Sequence, residues 1–176
     1  MKNVLFLFLL PLGIIGCNSE EYTYSTEDPK EYLNFIQNEQ DKANKVVLSF
    51  AGALGMRDSS LVYEQFEFAK NQTKAGFKAI KGMAPFGENK QIALRDAASA
   101  QFEYYAKIFD GDFKEVVKLG LKTIKTDAEN KKMADIIKTY QEQSEKLNAN
   151  FVIAKEAFMK ENNIPSDNEP AEKDEY

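Results

Sequence analysis

From Met133 to Phe158 a mostly apolar set of residues recurs at alternating intervals of four and three: Met133, Ile137, Tyr140, Ser144, Leu147, Phe151, Ala154 and Phe158. A strand would turn successive side chains to opposite faces and scatter this set. A helix of about 3.6 residues per turn lines it up in one stripe. The same rhythm runs through the rest of the chain. Leu33, Ile36, Gln40, Ala43, Val47, Phe50 and Leu54 form one stripe, and Val62, Phe66, Ala69, Thr73, Gly76 and Ile80 a second. Leu94, Ala98, Phe102, Tyr105 and Phe109 form a third, and Phe113, Val116, Val117 and Leu121 a shorter one. Such stripes are stable only when buried against one another. The pattern therefore predicts an all-α fold, an antiparallel up-down four-helix bundle with an extra short helix between the third and last long helices. The eight-position final stripe implies coiled-coil-like packing along its whole length.

Local signals place the boundaries. Asp28-Pro29-Lys30-Glu31 starts the first helix, with Asp28 as N-cap, Pro29 at the first helical position and Glu31 closing a capping box. Gly55 offers its stop, and Asp58-Ser59-Ser60 caps the second helix, which ends near Gly82. "GMAPFGENK", with Pro85 between two glycines, is the clearest loop. Asp112 with Glu115, and Thr126 with Glu129, read as two more capping boxes. Asp110-Gly111-Asp112 reads as a turn, because the remaining ligands of a calcium loop are absent. The helical domain spans 28–164, and residues 165–176, ending "SDNEPAEKDEY", form an acidic tail too polar to bury anything.

Composition narrows the chemistry. The 176 residues include no histidine and a single cysteine, Cys17, so imidazole-based triads and metal sites, internal disulfides and CxxC sites are excluded. Carboxylate, tyrosine, lysine and amide groups remain, in no spacing that matches a known mechanism. No catalytic residues, cofactor or metal are expected. The formal charge is −5, and Arg57 and Arg95 are the only arginines, so no cationic stripe exists for nucleic acid.

The amino terminus carries a different signal. Met1-Lys2-Asn3 is a short positive start and Val4 to Ile15 an apolar run. The run is the length of a secretory leader and too short for a span, which needs roughly 20 residues. It ends Ile14-Ile15-Gly16-Cys17, which resembles a bacterial lipobox. That resemblance implies removal of residues 1–16 and acylation of Cys17, with anchoring by two or three chains. Asn18-Ser19-Glu20-Glu21 is similar to the acidic export signals of Bacteroidota lipoproteins, and residues 17–27 read as a flexible tether.

Several residues stand out as candidates. Met83 and Phe86 could form an exposed contact patch in the Pro-Gly loop, or fold back as a lid on the bundle end. Tyr104 and Tyr105, with Phe102 and Phe109, could line a ligand cleft or belong to the core. Gln40, Thr73 and Ser144 interrupt apolar stripes, either as a polar pocket or as register-setting residues.

The segment Leu94-Arg95-Asp96-Ala97-Ala98, followed by Phe102-Glu103-Tyr104-Tyr105-Ala106-Lys107-Ile108-Phe109-Asp110 and preceded by Pro85-Phe86-Gly87, resembles a family of small helical surface lipoproteins met in leptospires and Bacteroidota. The resemblance implies a helical fold and a lipid-anchored envelope location, and it brings no catalytic residues; the expected place is the outer membrane, on the cell surface, with the periplasmic face as the alternative. It singles out Arg95 and Asp96 as a special pair, with a helix-to-helix ion pair as the alternative. The expectation is a non-enzymatic surface module that meets the membrane through the lipid on Cys17 and binds an envelope protein or glycan. A carrier holding a small apolar ligand between helices is the alternative.

Overall fold

The computed structural model describes residues 22–89 and 91–165. These form five helices: α1 (Pro29–Met56), α2 (Ser59–Lys81), α3 (Ala93–Asp110), α4 (Asp112–Gly120) and α5 (Asp127–Glu161). Among the described residues there is no strand, only two isolated bridges. The leader, Cys17 and the acidic tail beyond Pro165 lie outside the described residues.

The helices pack in chain order. α1 lies on α2, α2 on α3 and α3 on α5, with α4 bracing α3 and α5, while α1 and α5 share no comparable interface. Two apolar cores result. One gathers Tyr32, Ile36, Met83, Phe86, Phe102, Phe151 and Phe158. The other gathers Phe50, Val62, Phe66, Phe109, Phe113 and Val116. Full burial of one such side chain contributes about 1.5–3 kcal/mol.

The stripes behave differently by position. In α2 the residues read from the sequence are the buried ones: Val62, Phe66, Ala69, Thr73, Gly76 and Ile80. In α1 the buried face shares Leu33, Ile36, Ala43 and Phe50 with the expected stripe but leans toward Glu39, Val46 and Ala53 instead of Gln40, Val47 and Leu54. In α5 only Phe151 and Phe158 are fully buried. Met133, Ile137, Tyr140, Ser144, Leu147 and Ala154 are half-buried. The stripe expected there is thus fully buried only at Phe151 and Phe158, which join the core that also holds Tyr32 of α1, and is half-buried elsewhere.

Three caps form as expected. Asp28 accepts from the N–H groups of Lys30 and Glu31. Asp58 accepts from Leu61, and Thr126 with Glu129 closes a full capping box. Other boundaries differ. Glu31 accepts from the Thr26 hydroxyl at 2.9 Å instead of from the Asp28 N–H, which Thr26 takes at 3.1 Å. α1 runs past Gly55 to Met56 and stops on Arg57, which adopts the left-handed conformation at φ 57°. α4 has no side-chain cap, and Glu115 pairs with Lys132 at 3.0 Å and Lys118 at 3.6 Å.

Residues 22–27 depart from the tether expectation, because they are docked on the body. The Thr23 N–H donates to Gly82 O and the Ala84 N–H to Tyr24 O, each at 2.8 Å, in a parallel bridge. The Tyr24 ring stacks on Phe35 with centroids 4.0 Å apart. No apolar periodicity marks this segment, since backbone bonds and one ring hold it.

Candidate functional site

α1 carries a second stripe beside its buried face. The segment Asn34 to Asn44 reads "NFIQNEQDKAN", and its spacing puts Asn34, Gln37, Asn38, Asp41 and Asn44 on neighbouring turns of one side. Across the seam, Asn148, Phe151 and Lys155 of α5 face them, and Gln101 and Tyr105 of α3 form the floor. The groove holds about 580 Å³. That lies within the roughly 300–1,000 Å³ usual for ligand sites.

Seven of the eleven lining side chains are carboxamides, counting Gln40, and only Asp41 and Lys155 carry charge, so the walls are polar and nearly neutral. The floor is fixed in place. Gln40 Nε2 donates to Gln101 Oε1 at 2.6 Å, tying α1 to α3, and Gln101 is only 3% exposed. The walls are not tied. Asn34, Gln37, Asn38, Asn44 and Asn148 make no side-chain hydrogen bond to another described residue. Asparagine in a helix interior costs up to about 0.7 kcal/mol relative to alanine, because its amide competes with the backbone for hydrogen bonds. These four asparagines weaken the helices that carry them and stabilise nothing else in the described structure.

Below the groove, tyrosines from two helices meet. The Tyr104 ring stacks on Tyr140 at 6.3 Å, Tyr105 lies 6.2 Å from Tyr140, and Tyr140 rests on Phe113 at 5.1 Å. The Tyr104 hydroxyl and Ser144 Oγ are buried without a hydrogen-bond partner among the described residues. Ser144 stands one helical turn before Asn148. Its hydroxyl lies close enough to Tyr105 and Tyr140 to offset part of the rise in their pKa values, although it makes no hydrogen bond of good geometry.

Burial dominates the titration of these phenols. Desolvation raises Tyr104 and Tyr105 above the usual range, and with the neighbouring Tyr105 it pushes Tyr140 up to about 12. Tyr32, whose hydroxyl donates to Ala84 O at 3.0 Å, is pushed by burial to about 12 against the pull of Arg95. The unfolded chain releases these protons near 10. The stability they contribute is therefore whole below that pH and is lost as pH rises toward 12. Alkaline titration is expected to show late phenolate absorbance appearing together with loss of helical circular dichroism. Tyr140→Phe is expected to move that loss to higher pH.

The residues singled out from the sequence fall in separate places. Met83 and Phe86 are 0% and 6% exposed, so they form no contact patch. The Phe86 ring packs on Tyr32 at 5.1 Å and on Phe158 at 5.2 Å, closing the core. Arg95 and Asp96 pair within α3, from Arg95 Nη2 to Asp96 Oδ1 at 3.0 Å, not between helices. Arg95 Nη1 also donates to Met83 O at 3.0 Å, tying the Pro-Gly loop to α3. Tyr105 reaches the groove, and Tyr104 lies in the tyrosine cluster. Gln40, Thr73 and Ser144 do not gather into one pocket, since Thr73 bonds back to Ala69 O at 2.9 Å. The carboxamides at 34, 37, 38, 44, 101 and 148, with Asp41 and Lys155, escaped the sequence reading. Their one signal was five carboxamides within residues 34–44.

Comparison with protein-family models, curated proteins and solved structures finds no match. What the groove can bind follows from its own side chains. Among the described residues no helix is long and apolar enough to cross a membrane. Among the same residues, no group of three His, Cys, Asp or Glu is placed to hold a metal ion.

Proposed function

We propose that the chain is a lipid-anchored bacterial envelope protein, facing outward from the outer membrane, that acts as a non-enzymatic binding module. In this reading four long helices run antiparallel, up and down, with short α4 between the third and last. The seam between the first and last is the binding surface. The carrying observation is the amide-lined groove, whose wall asparagines cost helix stability and have no side-chain hydrogen-bond partner among the described residues.

The location rests on Ile14-Ile15-Gly16-Cys17 and the apolar run before it. Docking of residues 22–24 shortens the link to the membrane. From Cys17 to Tyr22 the chain reaches at most about 18 Å when fully extended. The body is thus held close to the bilayer rather than on a long tether. A carrier of apolar ligands would need apolar walls, and carboxamides are costly to desolvate against such a ligand.

Mass spectrometry of membrane-extracted protein, with protease shaving of intact cells, tests the anchor and the face. Expected are an acyl-modified Cys17 at the mature amino terminus and cleavage of the exposed body. Cys17→Ser is expected to move the protein from the membrane pellet to the aqueous fraction. If that variant still sediments with membranes at full length, the anchoring reading fails.

A further inference from the structure

The side chains of the groove select one class of ligand, and we infer that it takes a neutral oligosaccharide, an inference that rests on the groove being a binding site. A carboxamide carries a donor and an acceptor side by side, as a sugar hydroxyl does, so a row of carboxamides matches a row of hydroxyls without fixing a charge. An anionic ligand would meet Asp41 and find only Lys155 to receive it. A cationic ligand would find Asp41 alone among the walls. An apolar ligand would strip water from amides and give them nothing in return.

The shape fits a linear chain. The amide row on α1 from Asn34 to Asn44 extends about 15 Å along the helix axis. Tyr105, half-buried on the floor, offers a ring face for the C–H side of a sugar, and the Gln40–Gln101 bond holds that floor rigid before any ligand arrives. An extended peptide also presents donors and acceptors, but it needs sockets for alternate side chains. The groove's remaining apolar group, Phe151, is only 5% exposed and makes no socket.

The test is calorimetric titration of the detergent-solubilised full chain. Its probes are maltotetraose, cellotetraose, mannotetraose and chitotetraose, with tetragalacturonate and an alanine-glycine hexapeptide for contrast. Expected is saturable binding of a neutral tetrasaccharide with Kd below about 1 mM. Binding should change less than about twofold between low and high salt, because no ion pair carries it. Gln37→Leu and Asn38→Leu should each weaken binding about tenfold or more, since each removes hydrogen bonds to the ligand. Both positions lie outside the core, so the melting temperature should not fall, and Asn38→Leu should raise it slightly through helix propensity.

If no neutral tetrasaccharide binds, or if the groove variants bind as the parent does, the oligosaccharide assignment is overturned. If tetragalacturonate or the hexapeptide binds instead and the variants abolish it, that assignment is overturned while the binding-module reading stands. A photo-crosslinker placed at Asn38 in intact cells separates the remaining case. Absence of any crosslink there, with no probe bound, overturns both.

Discussion

Phe109→Ala is expected to lower folding stability by about 3–5 kcal/mol, the usual cost of truncating a fully buried aromatic ring. Phe109 is 0% exposed, and its ring meets Phe50 at 5.4 Å, Phe66 at 5.8 Å and Phe113 at 5.0 Å. Those four rings come from α3, α1, α2 and α4, so one truncation loosens four helices at once. Domains of this size are stable by only about 5–15 kcal/mol, so the variant should lose a large part of its margin. Urea denaturation followed by circular dichroism measures it. Phe68→Ala supplies the contrast: Phe68 is 55% exposed and should change stability by no more than about 0.5 kcal/mol. A loss below about 1 kcal/mol for Phe109→Ala would mean that the ring cluster is not packed as described.

Gly76→Ala should destabilise the protein although alanine is the better helix former. A methyl group at Gly76 would stand 2.3 Å and 2.7 Å from ring carbons of Phe102, which is 1% exposed and has no free space to retreat into. Overpacking of this kind costs about 1–3 kcal/mol, and the gain in helix propensity returns up to about 1 kcal/mol. The clash wins because it involves a buried ring rather than the end of a flexible chain. Gly52→Ala separates the two effects. Nothing lies within 4 Å of a methyl group at Gly52, so only the propensity gain operates and stability should rise by up to about 1 kcal/mol. Thermal melts of the pair should move in opposite directions, by about 2–4 °C for each kcal/mol. If both variants melt higher than the parent, the close approach of α2 to α3 is wrong.

These two sites mark how far the helical rhythm carries. α2 is sandwiched between α1 and α3, so its buried arc is covered from both flanks and its stripe is read directly from the intervals of three and four. α1 is covered chiefly by α2, and α5 by α3 and α4, while α1 and α5 meet each other only sparsely, as at Tyr32 and Phe158. The α1 stripe points inward but leans to one side, as Glu39, Val46 and Ala53 replace Gln40, Val47 and Leu54, while the α5 stripe keeps its residues and is only half-buried over most of its length. Periodicity reports which residues share a face. It does not report which neighbour is missing.

The groove is the product of that missing neighbour. Asn34, Gln37 and Asn38 resemble any solvated helix face until Gln101 from α3 and Asn148 from α5 are brought opposite them, and that meeting is tertiary. At Met83 and Phe86 the sequence left two readings open, and burial selects the lid on the core over the exposed patch. A loop between glycines looks exposed, yet Phe86 and Gln91 exchange both backbone hydrogen bonds, at 3.0 and 2.9 Å. Gly87 takes φ 67° within that turn, and Phe86 is driven into the core.

The bridge that joins residues 23 and 24 to residues 82 and 84 also decides where mechanical tension enters the body. Drag on the amino terminus reaches Gly82 and Ala84 before it reaches Pro29. The strain is therefore delivered to the junction of α2 and the Pro-Gly loop, where Tyr32 and Arg95 hold the neighbouring carbonyls of Ala84 and Met83. The opening turns of α1 share that load through Tyr24, whose ring stacks on Phe35 and whose hydroxyl donates to Glu31 O at 3.4 Å.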